Sequence, residues 1–167
     1  MTGLTEGYAA THRSLELTAK LRQHSAFSGI IGVEKLLLME MSFEFSEADN
    51  VLRLTLSGEM TDAAVMEIWT KGTNVAASFP ASRSIIDLSG VTGFGISTQA
   101  INLLAKKHSL DLPTRVFVAP RDVIYGTARM FQVLSERTRT NMHVVRSMSE
   151  AYKVLGIESP KFTPVTL

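Results

Sequence analysis

The feature that most constrains the fold is the alternation of strand and helix patterns after residue 80. Short apolar segments rich in β-branched residues occur at Ser84 to Leu88, Arg115 to Ala119 and Met142 to Val145, and segments with helical apolar spacing separate them. Strands that alternate with helices predict parallel neighbours joined by crossover connections. This half of the chain is therefore predicted to form a parallel sheet covered by helices.

A β-hairpin pattern precedes this region. Phe43 and Phe45 alternate with polar residues after Met41, turn residues occupy positions 47–50, and leucines alternate with polar residues from Val51 to Ser57. Such alternation is typical of antiparallel strands with one buried face. We therefore predict one mixed sheet of about five strands, an N-terminal antiparallel hairpin followed by parallel strands, with crossover helices.

The first crossover segment carries a helix signal. Thr61 is predicted to N-cap a helix that runs to about Ser78, with Trp69 and Gly72 on its apolar stripe. A glycine inside a helix costs roughly 1 kcal/mol relative to alanine, which predicts a close approach of the helix to the sheet at Gly72. Further helices are predicted at Ser97 to His108, at Ile124 to Ser135, and after a capping box at Ser147 to Glu150, ending at Gly156.

Three regions are predicted along the chain. Residues 1–40 form an N-terminal extension, residues 41–157 the α/β domain, and residues 158–167 a C-terminal tail. The extension carries a helical spacing from Leu15 to Leu21. It is interpreted either as an accessory helical segment or as the product of a start codon assigned too early, in which case the working protein begins at Met39 or Met41. Deleting residues 1–38 is expected to leave the thermal midpoint nearly unchanged.

Composition favours an ordinary globular protein. The chain has 167 residues, 45% of them hydrophobic, a net charge of +1 and no cysteine. The cysteine count excludes disulfides and thiol chemistry and is compatible with a reducing cytoplasm, so we expect a cytoplasmic protein. No apolar run reaches the roughly 20 residues that span a bilayer. The basic residues are dispersed and lack an aromatic platform, so we expect no nucleic-acid binding.

No catalytic or metal-binding pattern emerges. The four histidines, His12, His24, His108 and His143, lie far apart and lack metal-ligand spacing. The chain also has no phosphate-binding glycine loop, nucleophile elbow or paired carboxylates. We therefore expect a protein that is not an enzyme and needs no cofactor.

The segment from Gly90 to Thr98 is the candidate site. It follows the predicted central strand, and polar groups at the carboxyl ends of parallel strands commonly form ligand sites. The candidate binding residues here are Asp87, Ser89, Thr92, Phe94, Ser97 and Thr98. Structural alternatives remain open for two of them, because Asp87 could cap the following turn and Ser97 the following helix.

A second candidate group lies at the start of the next helix. Tyr125 and Arg129 are one helical turn apart, and beside Arg121 they could present a face that binds an anion. The structural alternative is a solvated helix face on which tyrosine and arginine stack. Because both candidate groups follow parallel strands, we expect them to be neighbours.

The element order and three phrases of sequence resemble the STAS family of sulfate-transporter and anti-sigma-factor-antagonist domains. The phrases are Leu54–Thr61 (LTLSGEMT), Ile86–Thr92 (IDLSGVT) and Tyr125–Phe131 (YGTARMF), the last resembling an uncharacterised bacterial branch of STAS-like proteins. The resemblance covers about residues 42–156. It implies a STAS-like fold and a non-enzymatic regulatory role.

The resemblance does not carry over the family's phosphorylation switch. Signalling members have Asp-Ser-Ser-Gly in the loop after the central strand, and a partner kinase phosphorylates the first serine. The corresponding positions here are Gly95, Ile96, Ser97 and Thr98. The phospho-acceptor position is therefore Ile96, and only Ser97 and Thr98 could accept a phosphate close by.

Two functional hypotheses follow. The first is a STAS-like regulatory module that binds a partner protein through the loop after the central strand. The second is a carrier of a small apolar or lipid-like ligand held between sheet and helices, in a pocket lined by Trp69, Phe94, Ile96, Met130 and Phe131. The sequence is also compatible with a homodimer.

Overall fold

The computed structural model describes residues 39–79, 81, 83–107, 114–136 and 141–166. The predicted helix from Leu15 to Leu21 lies outside the described residues, as do His12, His24 and His108. The strands are β1 (Glu40–Ser46), β2 (Val51–Thr61), β3 (Arg83–Gly95), β4 (Thr114–Val118), β5 (Met142–Val145) and β6 (Thr163–Pro164). The helices are α1 (Asp62–Ser78), α2 (Thr98–Lys106), α3 (Asp122–Ser135) and α4 (Met148–Leu155).

These strands form one mixed sheet in the order β5-β4-β3-β2-β1-β6. Strand β1 is antiparallel to both β2 and β6, whereas β2, β3, β4 and β5 run parallel to one another. The mixed α/β sheet predicted from the sequence is confirmed. The sheet has six strands where about five were predicted.

The helix boundaries follow local capping signals. Thr61, Ser97 and Ser147 each accept a hydrogen bond from a backbone N–H in the first turn of their helix, which satisfies one of the donors left open there. Gly156 ends α4 with a φ of 63°, a left-handed conformation that glycine adopts without strain. In the described part of the chain, no helix is both long and apolar enough to span a membrane.

The sheet has a different apolar core on each face. One face packs against α1, α2 and α3 through Leu52, Leu54, Leu56 and their neighbours. The opposite face packs against α4 and the C-terminal segment, and its buried side chains include Val51, Ile85, Val116, Ala151 and Leu155. Because alternate side chains of a strand point to opposite faces, neighbouring residues such as Val51 and Leu52 serve the two cores.

The prediction that the strand ends at Leu88 is wrong, because β3 continues to Gly95. Its second half pairs with β2 up to Thr61↔Gly95, through two register shifts. The glycines permit this close pairing: a Cβ at Gly90 would lie 2.8 Å from the Cβ of Ser57, and one at Gly93 would lie 2.8 Å from the Cγ of Glu59. The predicted loop is thus the irregular half of a strand.

The C-terminal segment covers the outer edge of β1. Val165 donates a backbone hydrogen bond to the Phe43 carbonyl at 2.8 Å, and the Arg53 guanidinium carbon lies 4.0 Å from the centroid of the Phe162 ring. Residues predicted to be a tail therefore add β6 and an aromatic contact to the sheet. The three-region division of the chain stays a prediction.

Candidate functional site

A cavity of about 190 Å³ lies between the sheet and the helices α1, α2 and α3. Its wall is almost entirely aliphatic and aromatic. The half-buried part of that wall includes Ile68, Trp69, Ile86, Phe94, Ile96 and Phe131. Ile86 sits on β3 between Leu54 of β2 and Phe117 of β4, where a well-packed sheet would bury it completely. Its partial exposure shows that the helical layer leaves this point of the sheet uncovered.

The position of α1 accounts for this space. Helices α2 and α3 pack against each other, whereas α1 packs mainly on β2. Gly72 on α1 belongs to the cavity wall, and a Cβ built on it would meet nothing within 4 Å. The predicted close approach of α1 to the sheet at Gly72 is therefore wrong. The glycine faces space instead of filling a tight contact.

Trp69 is a prominent part of the wall. Its indole is half-buried, and the ammonium group of Lys107, just after α2, lies 4.0 Å from the ring centroid. The backbone carbonyl of Trp69 accepts a hydrogen bond from the Thr73 hydroxyl, one turn further along α1. This cation–π contact links α1 to the residue that follows α2.

Two residues of this largely apolar wall each carry a buried polar atom without a partner. Within the described residues, Trp69 Nε1 and Ser84 Oγ are the buried side-chain polar atoms that have no hydrogen-bond partner. Both residues line the cavity, and Ser84 is only 5% exposed. An unsatisfied buried polar atom typically costs about 1–3 kcal/mol, so both atoms are unfavourable features of this part of the core.

Four of the five side chains predicted to line a pocket do so. Trp69, Phe94, Ile96 and Phe131 line the cavity, but Met130 does not and is 39% exposed. Met130 precedes Phe131 on α3, so their side chains leave the helix about 100° apart. Phe94 and Ile96 reach the cavity from the end of β3 and the short connection to α2.

Ser97 is fixed by a carboxylate from another helix. Its Oγ donates to Asp62 Oδ2 at 2.7 Å and its backbone N–H donates to Asp62 Oδ1 at 2.7 Å. These two bonds, the side-chain bond first, hold the pKa of Asp62 below its ordinary value. The same Oγ accepts from Ala100 N at 3.1 Å, as an N-cap does. A phosphate on Ser97 would be next to a carboxylate, which disfavours modification there, and Thr98 makes no such contact with Asp62.

Asp87, Ser89 and Thr92 lie along β3, where it passes the end of β4. Asp87 Oδ1 accepts a hydrogen bond from the Ser89 backbone N–H at 2.9 Å. This is the local capping contact expected from the structural alternative for Asp87. Ser89 and Thr92 are exposed.

Arg121 connects the two predicted groups, which are neighbours as expected. Its Nη1 donates to the Val91 and Thr92 carbonyls, each at 2.8 Å. Thr92 is the extra residue at a register shift between β2 and β3, and a bulge of this kind leaves backbone groups outside the sheet ladder. Arg121 therefore holds the start of α3 against the irregular half of β3.

The structural alternative for Tyr125, stacking with Arg129, is wrong. The Tyr125 ring is covered by Arg146, whose guanidinium carbon lies 4.0 Å from the ring centroid, and Arg146 also pairs with Asp122 at 2.6 Å. Arg129 instead donates to Gln132 Oε1 at 2.5 Å. The structure does not bring Arg121, Tyr125 and Arg129 into one cationic face, since all three guanidinium groups nearby already donate to carbonyl or carboxylate oxygens.

Sequence reasoning missed Ser84, Ile86 and Gly72 as parts of the cavity. Ser84 could have been found from the sequence, because it is a small polar residue within a strand that is otherwise apolar. Ile86 and Gly72 gave no local signal, because their exposure depends on how far α1 stands from the sheet. In the described ranges, no three histidine, aspartate or glutamate side chains form a group that could hold a metal ion.

Comparison with known proteins gives a likeness to solved structures. No protein-family model matches the chain, and no curated protein matches it. A crystal structure of an uncharacterised protein from the DUF3478 family, with a SpoIIAA-like fold, from Shewanella loihica PV-4, is similar with a TM-score of 0.48 and 16% sequence identity. The match covers 70% of this chain and 93% of that one. A likeness of this degree indicates nothing about ligand, partner or activity.

Proposed function

We propose that the protein is a non-enzymatic, cytoplasmic module of STAS-like fold that carries a small apolar molecule in the cavity between its sheet and α1. The observation behind this proposal is the cavity of about 190 Å³ with an almost wholly apolar wall. An engineered apolar cavity of about 150 Å³ binds benzene in another protein. Apolar pockets with a few polar groups are the usual form of small-molecule sites.

Two glycines allow a matched test. Gly72 on α1 and Gly126 on α3 are both inside helices, and a Cβ at either would meet nothing within 4 Å. Of the two, Gly72 lines the cavity. We expect Gly72→Leu to fill the cavity and abolish toluene binding, while Gly126→Leu leaves it unchanged. Both variants remain folded, because neither side chain starts in occupied space.

The measurement is a toluene titration followed by fluorescence of the sole tryptophan, Trp69, with thermal melts in parallel. Saturable toluene binding by the wild type and by Gly126→Leu, with none by Gly72→Leu, supports the proposal. Absence of saturable binding by the folded wild type overturns it. Equal binding by all three proteins places the ligand elsewhere and also overturns it.

A second candidate function is regulation through a partner protein at the edge formed by the irregular half of β3 and the start of α3. The observation that favours it is Val123, an apolar residue in the first turn of α3 that is 67% exposed. The core of a protein interface is more apolar than the polar rim around it, and Val123 could supply such a core residue at this edge. The matched variants are Val123→Asp and Val154→Asp, the latter on α4. Loss of a captured partner with the first variant alone supports this function, and equal capture by both overturns it.

A further inference from the structure

Helices α2 and α3 carry most of the exposed apolar side chains in the described part of the chain. Five of the six large ones lie on these two helices, and the sixth, Val154, lies on α4. The five, which we call the outer apolar patch, are Leu103, Val123, Met130, Val133 and Leu134, with exposed fractions from 39% to 67%. Apolar surface concentrated in this way marks a site that contacts a protein or a membrane.

Helix geometry places these side chains on the outer side of the helical layer. Val123, Met130 and Leu134 are spaced by seven and four residues, which forms one stripe along α3. Val133 lies beside Met130 on the same helix. Leu103 belongs to α2, which packs against α3. Both helices bury their inner sides on the same face of the sheet, so their exposed sides point away from it.

Basic side chains border the patch. Lys106 lies one helical turn after Leu103, and Arg129 lies one turn before Val133. Both are exposed. Arg129 donates to the amide oxygen of Gln132, a neutral partner that leaves the positive charge of the guanidinium group in place.

The carboxylates near the patch do not balance these cations. Asp122 in the first turn of α3 is paired with Arg146, and Glu136 follows the last turn of α3. Arg121 precedes α3 and keeps its charge, since its partners are backbone carbonyls. The same bias extends along the sequence, because residues 101–167 contain ten lysines and arginines against five aspartates and glutamates. The surface around the patch is therefore positive.

This combination favours a lipid surface over a protein. Leucine and valine are under-represented among the residues that dominate protein–protein binding energies, whereas acyl chains accept aliphatic side chains of any shape. A symmetric contact between two copies would place the same patch on both sides and bring like charges, such as two copies of Arg129, together. An anionic membrane attracts the cations and takes up the apolar groups.

We propose that α2 and α3 dock the protein on the surface of a membrane that contains anionic lipids. The outer apolar patch enters the boundary between headgroups and acyl chains, and Lys106 and Arg129 lie at the headgroups. Leu104 and Phe131, which line the cavity, directly follow patch residues in sequence. A docked protein therefore holds its cavity close to the lipid phase, although the docking itself does not depend on the carrier function.

Co-sedimentation of the purified full chain with lipid vesicles tests the proposal. The vesicles contain either phosphatidylcholine and phosphatidylglycerol in equal parts or phosphatidylcholine alone. Each cation close to an anionic surface strengthens binding by about fivefold. We therefore expect the wild type to bind the anionic vesicles at least about tenfold more tightly than the neutral ones, and to be released at high salt.

The α4 side of the molecule supplies matched control variants. Leu134 and Val154 are 42% and 40% exposed, on helices that cover opposite faces of the sheet. Leu134→Asp should weaken binding to anionic vesicles by about tenfold or more, and Val154→Asp by less than about twofold. Lys106→Gln should weaken it by about fivefold, whereas Lys153→Gln on α4, with the same change in net charge, leaves it unchanged. Thermal melts confirm that each variant is folded.

The outcomes decide between the possible occupants of the patch. If the folded wild type does not bind anionic vesicles, or binds both kinds equally, the proposal is wrong. Equal weakening by the α3 and α4 variants also overturns it. A dimer in analytical ultracentrifugation that Leu134→Asp alone dissociates would assign the patch to a second copy and overturn the membrane assignment. Toluene titrations of the same variants test the carrier function separately, because none of these substitutions alters the cavity wall.

Discussion

Helices α1 and α4 cover opposite faces of the same sheet, but they differ in how closely they pack against it. The shorter helix, α4, has 8 residues and is anchored at both ends, by the Ser147 cap and by a hydrogen bond of 2.7 Å from Arg83 Nη1 to the Leu155 carbonyl. Its Ala151 is 0% exposed. The longer helix, α1, has 17 residues, of which Val65 and Val75 are buried.

This difference shows that helix length and helix anchoring are separate properties. α4 lies close to the sheet because a small residue, Ala151, meets β-branched residues such as Val116. α1 reaches the sheet near its two ends and stands away in the middle, where Gly72 lines the cavity. The face of the sheet under α4 is therefore closely packed throughout. The face under α1, α2 and α3 is packed in part and borders the cavity in part.

The largest expected effect concerns the main side chain that α1 contributes to the cavity wall. We expect Trp69→Ala to lower the free energy of unfolding by about 3 kcal/mol, at the lower end of the range for a large aromatic residue, because the indole is only half-buried. The loss also removes the contact with Lys107. Urea denaturation followed by circular dichroism measures the change. A variant as stable as the wild type that no longer binds toluene would mean that Trp69 serves the ligand alone.

Adding the same volume on both faces tests the contrast directly. Ala151→Leu on α4 is expected to lower stability by about 2 kcal/mol, since it overfills a closely packed contact. Ala76 on α1 lines the cavity. Because a larger side chain there has space to enter, Ala76→Leu should change the free energy of unfolding by less than about 0.5 kcal/mol. Thermal melts of the two variants give the comparison. If Ala76→Leu is equally harmful, the space beside α1 is not available to a side chain.

A smaller effect, in this case an increase in stability, is expected when the glycine of α1 is replaced by alanine. Gly72→Ala should raise the free energy of unfolding by about 0.5–1 kcal/mol, because alanine favours the helix and its Cβ meets open space. Gly126→Ala on α3 is the control, with the same expected gain. Destabilisation by Gly72→Ala alone would show that α1 lies closer to the sheet in solution.

The smallest effect is the response of the α1 start to pH. The bonds from Ser97 lower the pKa of Asp62, so their contribution to stability is present above the unfolded value of about 4 and is lost as pH falls through the lower folded value. The stability difference between the wild type and Asp62→Asn should therefore shrink on acidification. Melts from about pH 6 to about pH 2 test this, and a difference that does not vary with pH would contradict it.

The parts of the fold that depend on local sequence were predictable. Caps at Thr61, Ser97, Ser147 and Gly156 fix the helix ends through contacts within a few residues, and those predictions are confirmed. The element order from β1 to α4 follows from the same local patterns. Four of the pocket side chains were also predicted, because large apolar residues recur on the strand and helix faces that meet between the layers.

The remaining features depend on distant residues. The extension of β3 requires Gly90 and Gly93 to pass Ser57 and Glu59 on another strand, and glycines with polar neighbours read locally as a loop. The Asp62 contact with Ser97 spans 35 positions. β6 has only 2 residues, too few for a periodic pattern. The distance between α1 and the sheet, which creates the cavity, has no local signature at all.

The bonds from Arg121 to the Val91 and Thr92 carbonyls have a consequence for self-association. β4 pairs with β3 only as far as Asp87, so the second half of β3 has an edge that β4 does not cover. An uncovered strand edge is a template for adding a strand from another molecule and so for aggregation. By occupying two acceptors there, the guanidinium group of Arg121 protects the edge without adding a strand.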